Sequence, residues 1–79
     1  MTGLAAAPGE GRVRLTFRVT ERSVVSITAG QKRLRRVLAA GRRSITVTGL
    51  LPGRRTASLR ARDGWGNEGP VARRSFRVR

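Results

Sequence analysis

The sequence predicts an all-β fold, a small antiparallel sandwich of about six short strands. Three observations point there. Aliphatic and polar residues alternate with period two through most of the chain, as in strands with one buried face. Turn residues recur about every ten positions. The last third, TASLRARDGWGNEGPVARRSFRV, reads as strand, tight loop and closing strand.

Residues 1–11, MTGLAAAPGEG, are small and rich in Ala, Gly and Pro. They read as a flexible linker or leader ahead of one domain spanning 12–79. From there, Val13, Leu15, Phe17 and Val19 alternate with Arg14, Thr16, Arg18 and Thr20. Glu21-Arg22-Ser23 interrupts the pattern. Ser23–Ala29 resumes it with Val25 and Ile27 inward, and Gly30-Gln31 is a turn.

Residues 31–40, QKRLRRVLAA, support two readings. Leu34, Val37 and Leu38 fall at helical spacing, with Gly41 where a helix would be capped. Ten residues make a marginal helix, however, and the crowded cations repel one another. No capping side chain opens the segment either, which favours a strand or irregular edge. Both readings stay open at this point.

Ser44–Thr48 is again β-branched, and Gly49-Leu50-Leu51-Pro52-Gly53 is a corner. Thr56–Arg62 sets Ala57, Leu59 and Ala61 on one face. The loop Asp63–Pro70 follows, and Arg73–Arg79 ends the domain with Phe76 and Val78 inward.

Composition narrows the chemistry. The 79 residues include no cysteine and no histidine, which removes thiolate sites, the usual general base and the commonest metal ligand. Only Glu10, Glu21, Asp63 and Glu68 carry carboxylates. Neither an enzyme nor a bound cofactor is expected. Against those four acids stand 17 arginines and Lys32, a net charge of +14. Such a field attracts polyanions, yet the excess of Arg over Lys is also what a GC-rich genome produces. No segment approaches the ~20 apolar residues that span a bilayer. The first residues lack the basic start and apolar run of a secretory signal.

The ending L-x-A-x-D-x-x-G-N (Leu59, Ala61, Asp63, Gly66, Asn67), closed by R-S-F-R-V, resembles bacterial immunoglobulin-like or fibronectin type III-like repeats. These occur in secreted and surface proteins of GC-rich bacteria. Phe17–Val25 resembles the family's strand, corner and next strand, and Leu51-Pro52-Gly53-Arg54 its turn before the penultimate strand. The resemblance implies an immunoglobulin-like sandwich over 12–79 and a non-catalytic structural or adhesive module of an extracellular or cell-surface protein. Its partners would be neighbouring domains or surface polymers. The chain departs from the family in two places. The tyrosine that usually ties down the corner is replaced by Arg55, expected to be unable to do that job, and Ala57 predicts a thin core.

The alternative function is that of an autonomous basic domain binding nucleic acid or another polyanion, such as an acidic polysaccharide. Arg60, Arg62, Arg73, Arg77 and Arg79 share a parity that points them away from the core, forming the candidate polyanion-binding face. At ~4.8 Å between strands and ~6.8 Å along them, their repulsion is only partly screened within a ~8 Å Debye length. Arg12, Arg14 and Arg18 form a second stripe, expected on the other sheet. The candidate contact aromatic is Trp65, read either as an exposed stacking platform or as a lid over a core poor in aromatics. Asp63, Asn67 and Glu68 offer too few oxygens for a dedicated calcium site, and no metal is expected.

Overall fold

A computed structural model describes residues 1–79 and places seven strands in them: β1 Thr2–Gly9, β2 Arg12–Val19, β3 Ser23–Ala29, β4 Lys32–Leu38, β5 Gly41–Val47, β6 Gly53–Asp63 and β7 Ala72–Val78. They form two antiparallel sheets, in the orders β1-β2-β5 and β4-β3-β6-β7. The all-β sandwich expected from alternation is therefore present, with one strand more than the pattern announces.

The extra strand is β1, so the reading of 1–11 as a flexible linker is corrected. Thr2–Gly9 pairs along β2, with a register shift between Thr2 and Ala5. Ala, Gly and Pro are weak strand formers, which conceals the strand in the sequence. It forms because tertiary contacts supply what propensity does not. Leu4 is buried in the core, and its carbonyl accepts a hydrogen bond from Arg74 Nε of β7 at 2.9 Å. Pro8 is tolerated because β1 is an edge strand.

Residues 32–38 form an edge strand, which settles the ambiguous segment. Its register with β3 runs from Ser23 opposite Leu38 to Ala29 opposite Lys32. Leu34 and Leu38 lean against the core, while Val37 stays exposed. Helical spacing of three aliphatics was thus weaker than pairing with a fully formed neighbour. The arginines that would strain an isolated helix here guard a sheet edge against further strand pairing.

The core is one layer between the sheets. Val13, Leu15, Phe17 and Val19 from β2 meet Val25 and Ile27 from β3, Leu59 from β6, and Phe76 and Val78 from β7. Burial of this side-chain set is the main stabilising contribution. Ala57 lies directly across from Ala29, both fully buried, so the layer is thin there. Leu50 turns inward from the β5–β6 corner and is buried as well, whereas the next residue, Leu51, is 60% exposed.

The molecule is elongated, 38 × 20 × 17 Å. One pole carries Met1, the β2–β3 corner and the Asp63–Pro70 loop, since Thr2 pairs with Arg18 and Ser23 with Asp63. The other pole carries the β1–β2 turn, where the Arg79 carbonyl accepts from Gly11 N–H at 2.9 Å and Arg79 N–H donates to the Gly9 carbonyl at 3.2 Å.

Candidate functional site

Alternation along each strand divides the arginines into two populations with different fates. Those on the core-facing parity lie at sheet margins and bind backbone carbonyls. Arg43 donates from Nε to the Ala39 carbonyl at 2.8 Å and from Nη2 to that of Ala40 at 2.7 Å. Arg55 does likewise toward Leu51 (3.2 Å) and Pro52 (2.9 Å), and Arg74 reaches Leu4 across the sandwich edge. Arg55 therefore ties down the corner that it was expected to leave loose. A guanidinium presents several donors in a fixed fork, enough to replace a tyrosine hydroxyl.

The outward parity holds the candidate site. Arg60 and Arg62 project from β6, and Arg73 and Arg77 from β7, all exposed. They do not form one cluster. Arg77 stands opposite Arg54, and Arg73 opposite Ser58. Arg62 lies eight residues from Arg54, about 26 Å along the strand at ~3.3 Å per residue. Arg79 lies past the end of β7 at the opposite pole, beside Gly9, Glu10 and Arg12. The five arginines thus share a side of the sandwich but not a site.

The register supplies members that alternation in the last two strands alone omits. Arg35 of β4 pairs with Ser26 of β3, which pairs on its other side with Arg60 of β6. One row on, Arg33 faces Thr28, Thr28 faces Ser58, and Ser58 faces Arg73. In the third row Val37, Val24 and Arg62 stand side by side. The outer face of this sheet is therefore a trough. Its floor is the small residues Val24, Ser26, Thr28 and Ser58, and at the usual ~4.8 Å spacing its arginines stand about 10 Å apart across Ser26 and about 14 Å apart across Thr28 and Ser58. An open depression of about 380 Å³ occupies the end bounded by Arg35, Arg60, Arg62 and the Asp63–Gly66 turn. Arg33 and Arg35 were hidden because segment 31–40 had no assigned period; once it is a strand, their parity follows.

Among these outward arginines only Arg60 has a partner, Glu68 Oε2 at 3.1 Å from Nη1. Both side chains are about half exposed, so the pair contributes little to stability. Arg33, Arg35, Arg54, Arg62, Arg73 and Arg77 make no side-chain hydrogen bond or ion pair within the chain. On the other sheet, Arg12, Arg14 and Arg18 face outward as expected and are joined by Arg42, which pairs with Arg18. Arg14 there donates to Ser44 Oγ at 2.8 Å.

The loop at the end of the trough is built on Asp63. Its Oδ1 accepts from the amides of Trp65 and Asn67, both at 2.9 Å, and its Oδ2 from Asn67 Nδ2 at 3.2 Å. The Asn67 amide foremost, opposed by partial desolvation and aided by the other donors, holds the Asp63 carboxyl below its ordinary value. Its oxygens are thus committed to the loop itself. Trp65 is 89% exposed, which overturns the lid reading: Leu50 and Leu4 complete the core in its place. Glu21, Asp63 and Glu68, three of the four acids, border a second depression at this pole, of about 190 Å³.

No family model matches the chain and no curated protein matches it. Among solved structures the fold is similar to that of the SusE-like protein BT2857, with a TM-score of 0.72 at 13% identity. The likeness covers 95% of this chain but only 28% of that one. At such identity the likeness concerns architecture, and the architecture is an immunoglobulin/fibronectin III-like β-sandwich. No helix of the chain is long and apolar enough to cross a membrane.

Proposed function

We propose that the chain is a non-catalytic structural and interaction module of an extracellular or cell-surface protein. One observation carries this reading. β1 enters at one pole of a body 38 Å long and β7 leaves at the other, so such sandwiches joined in series run head to tail without a reversing linker. The similar sandwich in the SusE-like protein is itself little more than a quarter of a longer chain, which supports a role as one part of a larger body. The chemistry of the surface is in keeping: the carboxylate of Asp63 is committed to loop donors and that of Glu68 to Arg60.

The test is a concatemer of three copies joined end to end, measured by small-angle X-ray scattering. The reading predicts that maximum dimension grows by close to the 38 Å long axis with each added copy. Compact side-by-side particles would overturn it. The second reading, an autonomous basic domain that binds nucleic acid, draws on the unpaired outward arginines; the trough geometry bears on that choice.

A further inference from the structure

We propose that the trough on the β4-β3-β6-β7 sheet binds a single extended acidic polysaccharide, held through its carboxylate or sulfate groups by Arg33 and Arg35 on one wall and Arg60, Arg62 and Arg73 on the other. The proposal rests on the reading of the chain as an interaction module and gives that module its ligand class.

Charge is the first reason. Five guanidiniums border a strip about 10–14 Å wide; of the two carboxylates at its end, Glu68 pairs with Arg60 and Asp63 is committed to its own loop. Crowding like charges at these spacings is unfavourable and only partly screened at physiological salt. A ligand carrying negative groups on both flanks relieves that repulsion from both walls at once. Each guanidinium offers a planar fork that matches carboxylate and sulfate oxygens in bidentate fashion.

Shape and floor chemistry choose among polyanions. The floor residues Val24, Ser26 and Thr28 are short, and the hydroxyls of Ser26 and Thr28 make no hydrogen bond within the chain, so they are free to pair with a sugar hydroxyl. Single-stranded nucleic acid is bound by aromatic rings on which successive bases stack, and no aromatic side chain stands on this face. Trp65 lies in the loop between the two glycines that line the end of the depression and offers a single exposed ring, not a stacking series.

Glu68 fits the same scheme. Its carboxylate sits on Arg60 at 3.1 Å, occupying in the free protein the place that a ligand carboxylate would take. Its backbone is bridged to Arg62, so the two wall arginines and their competing acid move as one unit.

The experiment is a titration with a size-defined heparin oligosaccharide and, separately, a thymidine oligonucleotide of equal charge, each over a range of salt. Proteins compared are the native chain, the trough variant R35Q/R60Q/R62Q, the floor variant Ser26→Glu and the opposite-sheet control R12Q/R14Q/R18Q. All carry exposed substitutions, and thermal melts check that each is folded. The expected result is oligosaccharide binding weakened about ten-fold or more by the trough variant, with the salt slope reduced by about 2, given ~0.7 counterions per contact on a single-stranded polyanion. Ser26→Glu weakens it as well, and the control much less. Equal losses in trough and control variants, tighter binding of the oligonucleotide, or no measurable binding would each overturn the proposal. Any of these leaves the head-to-tail module reading to stand or fall on its own scattering test.

Discussion

Arg43 and Arg55 repeat one local device twelve positions apart. Each is the second residue after a glycine that opens a strand, Gly41 at φ 121° and Gly53 at φ 119°, and each folds back so that Nε meets the carbonyl four residues earlier and Nη2 the carbonyl three earlier. The sequences Ala39-Ala40-Gly41-Arg42-Arg43 and Leu51-Pro52-Gly53-Arg54-Arg55 carry the same G-R-R core. The glycine is needed because L side chains rarely adopt such angles. The device anchors two of the three corners where the chain passes between sheets, β4–β5 and β5–β6.

Arg55→Ala removes two charge-assisted bonds to carbonyls that then turn to solvent. It is expected to lower stability by about 1–2 kcal/mol, and Arg43→Ala by a comparable amount. Arg54→Ala, one residue away but facing outward, changes stability by less than about 0.5 kcal/mol. Urea unfolding of the three variants checks this. Equal effects at positions 54 and 55 would show that the corner bonds contribute nothing.

Leu4→Ala tests whether β1 belongs to the fold. Removing a buried leucine side chain typically costs about 2–5 kcal/mol, and the edge location places this one near the lower end. A linker would show no loss. The measurement is the shift in urea midpoint, with Ala7→Ser on the exposed side of the same strand as the neutral comparison.

The Asp63 loop should loosen in acid. Its carboxyl is held below the ordinary value by the Asn67 amide and the other loop donors, so the charged form is the one the fold favours. Its contribution is fully present above the unfolded value of about 3.9 and declines as pH falls through the lower folded value. Trp65 lies inside the loop and reports the change: its emission is expected to be steady from neutrality to about pH 4 and to shift below that. In Asp63→Asn the shift disappears. A transition that persists in the variant would assign it to another group.

Trp65 itself is expected to be quenched by iodide nearly as strongly as free tryptophan. Trp65→Ala should leave the melting temperature unchanged to within about 0.5 kcal/mol of stability, because an exposed ring buries little area. Strong protection from iodide would mean that the ring folds onto the body in solution.

Glu68→Gln frees Arg60 from its only carboxylate. Since exposed pairs contribute about 0–1 kcal/mol, stability should hardly move. Affinity for a sulfated oligosaccharide should rise several-fold, because the trough loses the acid that competes for Arg60. An unchanged affinity would show that Arg60 does not meet the ligand.

Alternation made β2, β3, β5, β6 and β7 legible before any coordinates, because each has one face on the core and one in water. Where a strand lacks that contrast, the sequence is mute. Thr2–Gly9 has one large aliphatic, Leu4, among small residues, and its strand form depends on the β2 ladder and on the bond from Arg74, neither of which leaves a local mark. Leu34 and Leu38 are four apart, compatible with either period, and only pairing with β3 decides between them. Parity correctly turned Arg60, Arg62, Arg73 and Arg77 outward. It could not say that Arg79 is remote from them, nor that Arg35 faces Arg60 over β3 and Arg33 faces Arg73 over β3 and β6, since both depend on strand order. The anchoring by Arg55 depends on the Leu51 and Pro52 carbonyls that the corner brings within its reach, which residue type alone does not reveal.

The bonds from the Arg79 backbone to Gly9 and Gly11, with the clasp of Arg74 on Leu4, join the first strand of the sandwich to the last. Contacts so far apart must wait for loop closure over nearly the whole length. A nascent chain emerging from the ribosome therefore carries its opening hairpin unlatched until residue 79 is out, and closure of the sandwich waits for β7.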